Sequence, residues 1–229
     1  MESRLLRPRV KDHLVEVIEV TDLTPWYRRL TMDAKGLFEK YTPDPAAYLQ
    51  LNIPDGTSTL PRSYTLHGVT PTTFQLEFVA HTPSGPGCDW ARNAQPGTTI
   101  TVDEPPYCLN VPQVSHCLII ADSSAFAAAQ SLLETLDESI QISVVCIDDH
   151  PDHDQIPFPP RASITWLDTV GDDDLEIATA RMDPTDCFLW AAGERHLAKT
   201  VREFVRADFP LHRGSHHIQT YWIAQGFSF

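Results

Sequence analysis

The pattern of apolar residues changes character once along the chain, near Pro112, and that break constrains the fold more than any other feature. Before it, short segments alternate apolar with polar residues or are β-branched, and Pro and Gly punctuate them. Residues 14–20, 28–32, 48–53, 62–68, 73–80 and 98–102 read as six strands. Six short strands at that spacing predict an antiparallel β-barrel. A short helix is expected over 91–95, between Gly85-Pro86-Gly87 and Pro96-Gly97. After the break, compact apolar runs at 116–121, 142–147, 163–167 and 187–191 read as buried strands, with a last strand at 217–223. Helical stretches lie between them at 125–136, 175–180 and 194–209, the first with Ser123 or Ser124 as N-cap. Strands alternating with helices predict a doubly wound parallel sheet. The expected fold class is β-barrel plus α/β: a six-stranded antiparallel barrel over 1–111, then a nucleotide-binding α/β domain over 112–229.

Composition narrows the partners. The 229 residues are 42% hydrophobic, enough for real cores. There is no apolar run of eighteen residues, so no membrane span is expected, and Met1 to Lys11 lacks the apolar stretch of a signal peptide. The five cysteines lie far apart without a C-x-x-C pair, which points to a reducing, cytoplasmic setting. A net charge of −14 argues against nucleic acid. A monomer is expected.

The chemistry concentrates in Pro61-Arg62-Ser63-Tyr64-Thr65. On a strand, Arg62 and Tyr64 share one face because side chains repeat every two residues. A guanidinium fork suits a phosphate and a phenol suits a flat conjugated ring. Downstream come His81, Gly85-Pro86-Gly87 and Trp90. The two glycines let backbone N–H groups approach an anion at a helix start. There is no G-x-S-x-G and no P-loop, so redox chemistry would belong to a cofactor.

Four segments in order carry a resemblance: Pro61 to Thr65; Phe78-Val79-Ala80-His81 with Gly85-Pro86 and Trp90-Ala91; Trp190-Ala191-Ala192-Gly193-Glu194; and Tyr221-Trp222 with Gly226. Together they resemble the siderophore-interacting proteins, a branch of the ferredoxin-reductase-like flavoproteins. The resemblance implies an FAD-dependent ferric-siderophore reductase, with NADPH or NADH as electron donor and a ferric siderophore as substrate. It implies that Arg62 binds FAD phosphates, Tyr64 packs on the isoalloxazine and Thr65 reaches the flavin's polar edge, with Ser63 also among the cofactor-binding residues. His81, Gly85, Pro86, Gly87 and Trp90 would surround its phosphate-ribose region. Asp122, Ser123 and Ser124 would meet the nicotinamide nucleotide's phosphates, with Glu194 at the same site. The chain departs from the family at this turn, which usually reads Asp-Glu-Thr-Ala and here reads Asp122-Ser123-Ser124-Ala125. Two other functions stay open: a general flavin reductase, with a ferredoxin-type protein as partner, or a siderophore-binding protein without catalysis.

Several residues have plain structural readings. Trp90 and Trp222 are expected to pack rather than stack on a ligand. Glu194 suits a helix start through the dipole alone, and His81 suits a backbone hydrogen bond as well as a cofactor contact. His150 and His153 in the acidic loop 148–154, and His212, His216 and His217, match no helix-based metal motif, so no metal site is expected. Asp148 and Asp149 end a strand where an acid takes a ribose 2′-hydroxyl and opposes a 2′-phosphate, favouring NADH. Arg28, Arg29 and the histidines near the C-terminus are candidates for a basic patch that attracts anionic chelates.

Overall fold

The computed structural model describes residues 10–80 and 84–224. Two compact units divide between Cys108 and Leu109. Among the described residues no helix is long and apolar enough to cross a membrane.

The first unit is a six-stranded antiparallel sheet built from β1 (His13–Thr24), β2 (Tyr27–Asp33), β3 (Tyr48–Asp55), β4 (Ser58–Thr65), β5 (Thr73–Val79) and β6 (Thr99–Asp103), with one helix, α1 (Pro86–Asn93). Strand order is β4-β3-β6-β1-β2-β5. The edge strands β4 and β5 share no ladder, but an isolated bridge between His67 and Gln75 joins the chain just after β4 to β5. The alternation in the sequence becomes the pleat. Val15, Val17, Leu30, Met32, Leu49, Leu51, Phe74 and Leu76 are buried in one core. α1 begins five residues before the 91–95 predicted for it. Pro86 opens it, because a fixed φ and a missing N–H suit the first helical position.

The second unit carries β7 (His116–Asp122), β8 (Gln141–Ile147), β9 (Ala162–Leu167), β10 (Cys187–Glu194) and β11 (His216–Trp222), all parallel in the order β11-β10-β7-β8-β9. Its helices are α2 (Phe126–Thr135), α3 (Asp172–Thr179) and α4 (Arg195–Ala207). Leu175 of α3 and Leu197, Val201 and Phe204 of α4 share a core with Leu118, Ile120, Leu189 and Ala191, on one face of the sheet. α2 packs on β7 and β8 without joining that core, so it covers the other face. The expected serine cap of α2 is absent: its N-cap is Ala125, without a side-chain cap, and it follows a 3-10 turn capped by Asp122, whose carboxylate accepts from the Ser124 N–H at 3.0 Å. α3 starts at Asp172, three residues before the predicted 175, where the Gly171 N–H donates to Asp174 Oδ2 at 2.9 Å.

Strand order reverses between β7 and β10, so this is the switch point where open α/β sheets bind ligands, at the carboxyl ends of the strands.

Candidate functional site

In the first unit, β4 presents Arg62 and Tyr64 opposite Leu51 and Leu49 of β3, on one face as the alternation requires. Arg62 is exposed; its Nη1 donates to its own Pro61 carbonyl at 2.9 Å and no carboxylate pairs with it among the described residues. Tyr64 turns inward. Its ring lies 4.3 Å from that of Phe78 in β5, and burial pushes its hydroxyl up to about 12. A Cβ on Gly87 would overlap the Tyr64 hydroxyl oxygen, so α1 can approach β4 only with glycine there. Gly85, the N-cap of α1, has no side-chain cap and open space beside its Cα. Trp90 packs as expected, with its ring 5.9 Å from Phe78.

Three of the sequence-predicted residues therefore pack together, Tyr64, Gly87 and Trp90, and Arg62 stands two residues from Tyr64 on the same face of β4. Pro86 is exposed at the helix start and Ser63 is exposed on the opposite face of β4, while Thr65 is buried at 7% exposure. His81 lies outside the described residues, as does Gly226. Tyr64 as it stands offers little open ring face, because it rests on Phe78. The donor set still fits a phosphate-bearing flavin nucleotide. It combines an unpaired guanidinium, an uncapped helix start of glycines and an aromatic cluster behind them.

Arg28 and Arg29 do not form a free basic patch. Arg28 pairs with Asp22 at 2.6 Å and donates to the Ala91 and Arg92 carbonyls at the end of α1. Arg29 reaches Glu77 at 2.5 Å. Glu77 also accepts from the Tyr27 hydroxyl at 2.5 Å and lies 3.2 Å from His67 Nε2. Burial, the largest influence, would raise the Glu77 carboxyl, but His67, Arg29 and Tyr27 together outweigh it and hold the group below its ordinary value. Sequence reasoning missed this cluster. Glu77 sits between Leu76 and Phe78, and only the β2–β5 register shows that it faces Arg29.

In the second unit, the carboxyl ends of β7, β10 and β11 are tied by Asp122. Its Oδ1 accepts from the Ser124 hydroxyl at 2.5 Å, and its Oδ2 from the Glu194 N–H at 2.6 Å and Trp222 Nε1 at 2.9 Å. Gly193 makes this closure possible, since its φ is +153° and a Cβ there would stand 2.6 Å from the Asp122 carboxylate. Burial raises the Asp122 carboxyl more than its neutral donors lower it. Glu194 caps α4 by accepting from the His196 N–H, and its other oxygen accepts from Ala224 N at 3.1 Å. Ser123 and Ser124 flank this knot. Trp222 was expected simply to pack; instead it is half exposed and spends its indole N–H on Asp122.

Asp122, Ser124 and Glu194 thus meet at the switch point, but the chain's own carboxylates already accept the Ser124, Glu194 and His196 N–H groups that a pyrophosphate would need.

Comparison with known proteins adds the last observations. A family model described as a siderophore-interacting FAD-binding domain matches residues 44–107, and one described as siderophore-interacting protein matches residues 114–225. The chain is 30% identical over 226 residues to the mycobactin import ATP-binding/permease protein IrtA of Mycobacterium tuberculosis, covering 93% of this chain but 26% of that protein. It is 29% identical over 164 residues to the NADPH-dependent ferric-chelate reductase of Escherichia coli, covering 68% of this chain and 63% of the reductase. The chain thus spans about a quarter of the mycobactin import protein and under two thirds of the reductase. The solved siderophore-interacting protein of Acinetobacter baumannii superimposes with a TM-score of 0.78 at 22% identity, covering 97% of this chain and 93% of that one. At that identity the likeness speaks for the fold.

Proposed function

We propose that this chain, which belongs to the siderophore-interacting protein family, is an FAD-dependent reductase of ferric siderophores. The observation that carries the reading is the close approach of Tyr64 to Gly87 at an uncapped, glycine-opened helix start, with the guanidinium of Arg62 on the same face of β4. In this reading Arg62 holds the FAD phosphates and α1 directs its first N–H groups toward them. Tyr64 and Phe78 supply the aromatic wall. When bound, FAD supplies the redox chemistry that connects a two-electron donor to a one-electron ferric acceptor. The protein works in the cytoplasm as a monomer, where reduction weakens iron's hold on hard oxygen ligands and Fe(II) leaves the siderophore. The name of the Escherichia coli relative supports a ferric chelate as substrate.

A second reading concerns the electron donor. The capped N–H groups at the carboxyl ends of β7 and β10 favour a weakly held nicotinamide nucleotide, or a ferredoxin-type protein in its place. Asp149, exposed after β8, favours NADH over NADPH.

The test is reconstitution. The purified protein should take up FAD and show flavin absorption that a donor bleaches and a ferric siderophore restores. Arg62→Ala should weaken FAD binding by roughly 10- to 100-fold, the worth of charge-assisted hydrogen bonds, and leave the thermal stability of the FAD-free protein unchanged. Equal FAD affinity in that variant would remove the phosphate role from Arg62. Parallel assays with NADH, NADPH and a reduced ferredoxin identify the donor.

A further inference from the structure

The carboxyl end of β8 gathers metal-ligating side chains that the flavin reading does not use. Asp148 follows the strand directly, and its side chain is 3% exposed. Its Oδ1 lies 2.8 Å from His150 Nδ1. Its Oδ2 is buried and has no hydrogen-bond partner among the described residues. Facing that oxygen at 4.0 Å is His153 Nδ1, also buried and also without a hydrogen-bond partner. Asp149 Oδ1 stands 3.9 Å from His150 Nδ1. The ligand atoms of Asp148, Asp149 and His150 all lie within 4.8 Å of one another.

The sequence spacing hid this because the ligands do not share a helix. The strand end fixes Asp148, and a 3-10 turn over His153–Gln155 brings His153 back toward it. There the His153 ring stacks on Trp166 of β9 at a centroid distance of 4.5 Å and an angle of 15°, which sets its direction. At 4.0 Å, Asp148 Oδ2 and His153 Nδ1 are too far apart to hydrogen-bond. A cation between them satisfies both. Ligand atoms around a four-coordinate zinc, each about 2.0–2.2 Å from the ion, stand roughly 3.3–3.5 Å apart. The separations of 2.8, 3.9 and 4.0 Å bracket that spacing.

We propose that Asp148, Asp149 and His150, completed by His153 or water, form a binding site for a divalent cation of the zinc class. Two imidazoles with carboxylate suit a borderline ion, whereas magnesium and calcium prefer all-oxygen shells. The ion pins the loop after β8 onto itself and neutralises part of its acidic charge. This site is independent of the flavin assignment.

The full chain, stripped with a chelator, is titrated with zinc chloride by calorimetry. One equivalent should bind and raise the unfolding temperature. The double variant His150→Ala/His153→Ala should bind at least roughly tenfold more weakly, while His212→Ala/His216→Ala, at exposed histidines elsewhere, should bind as the parent does. No binding, or equal binding by the first double variant, overturns the proposal. Cobalt substitution reads the unmodified protein. Visible bands of a tetrahedral nitrogen and oxygen shell support the site. Thiolate charge-transfer bands would move the ion to a cysteine such as the exposed Cys108 and overturn it.

Discussion

A strand of each unit buries a carboxylate, Glu77 in the first and Asp122 in the second, and the two are satisfied in opposite ways. In the first unit, Glu77 meets charge and strong donors: Arg29 at 2.5 Å, His67 at 3.2 Å and the Tyr27 hydroxyl at 2.5 Å. In the α/β unit, Asp122 meets only neutral donors: Ser124, the Glu194 N–H and the Trp222 indole. The first carboxyl is held below its ordinary value and the second above it. Glu77 clamps neighbouring strands and leaves Arg62 free at the candidate flavin site. Asp122 sits at the candidate nucleotide site and consumes the donors there.

The largest expected effect lies at Glu77. Glu77→Gln removes the anion that the largely buried Arg29 pairs with, a loss of about 3–5 kcal/mol. Hydrogen exchange should show the loss of protection centred on β2 and β5. A cost no larger than that of Asp122→Ala would end the contrast, because the charge on Arg29 would then contribute nothing.

Asp122→Ala should cost less, about 1–3 kcal/mol, since it orphans neutral N–H groups rather than a charge. It has a second consequence. With the carboxylate gone, the Ser124 and Glu194 N–H groups become available to a phosphate, so any nicotinamide nucleotide affinity should rise or hold rather than fall. A sharp fall in NADH affinity, with the fold intact by circular dichroism, would make Asp122 a direct ligand instead of an internal clasp.

How much of this was readable beforehand follows from sequence separation. The strands of both units and the reversal of pattern near Pro112 are local signals, and each strand appears within a few residues of its expected span. The shared face of Arg62 and Tyr64 follows from a period of two. The buried carboxylates do not yield to local reading. Glu77 and Arg29 are brought together by a register across 48 residues, and Asp122 and Trp222 by strands 100 residues apart. Arg28 and Arg29 look like surface charge in the sequence because their partners, Asp22, the end of α1 and Glu77, appear only once the sheet curls. Gly193 lay inside a quoted motif, yet its positive φ and its contact with Asp122 follow only from the β7–β10 pairing.

The smallest effect separates the carboxylates by sign. A carboxyl depressed in the folded state stabilises above its unfolded value and loses that contribution as pH falls through the folded one. For Glu77 the loss therefore begins below the ordinary value of 4.5. A carboxyl raised in the folded state contributes fully below its unfolded value, 3.8 for Asp122, and loses that contribution as pH rises through the folded one. Urea unfolding resolved by NMR, from about pH 6 down to about pH 3.5, should show the first unit weakening toward acid through Glu77. Glu77→Gln should flatten that limb. The α/β unit should carry a component of opposite slope that Asp122→Asn removes. Acid limbs of the same sign from both residues would mean that the neutral donors around Asp122 stabilise its anion as well as Arg29 stabilises that of Glu77.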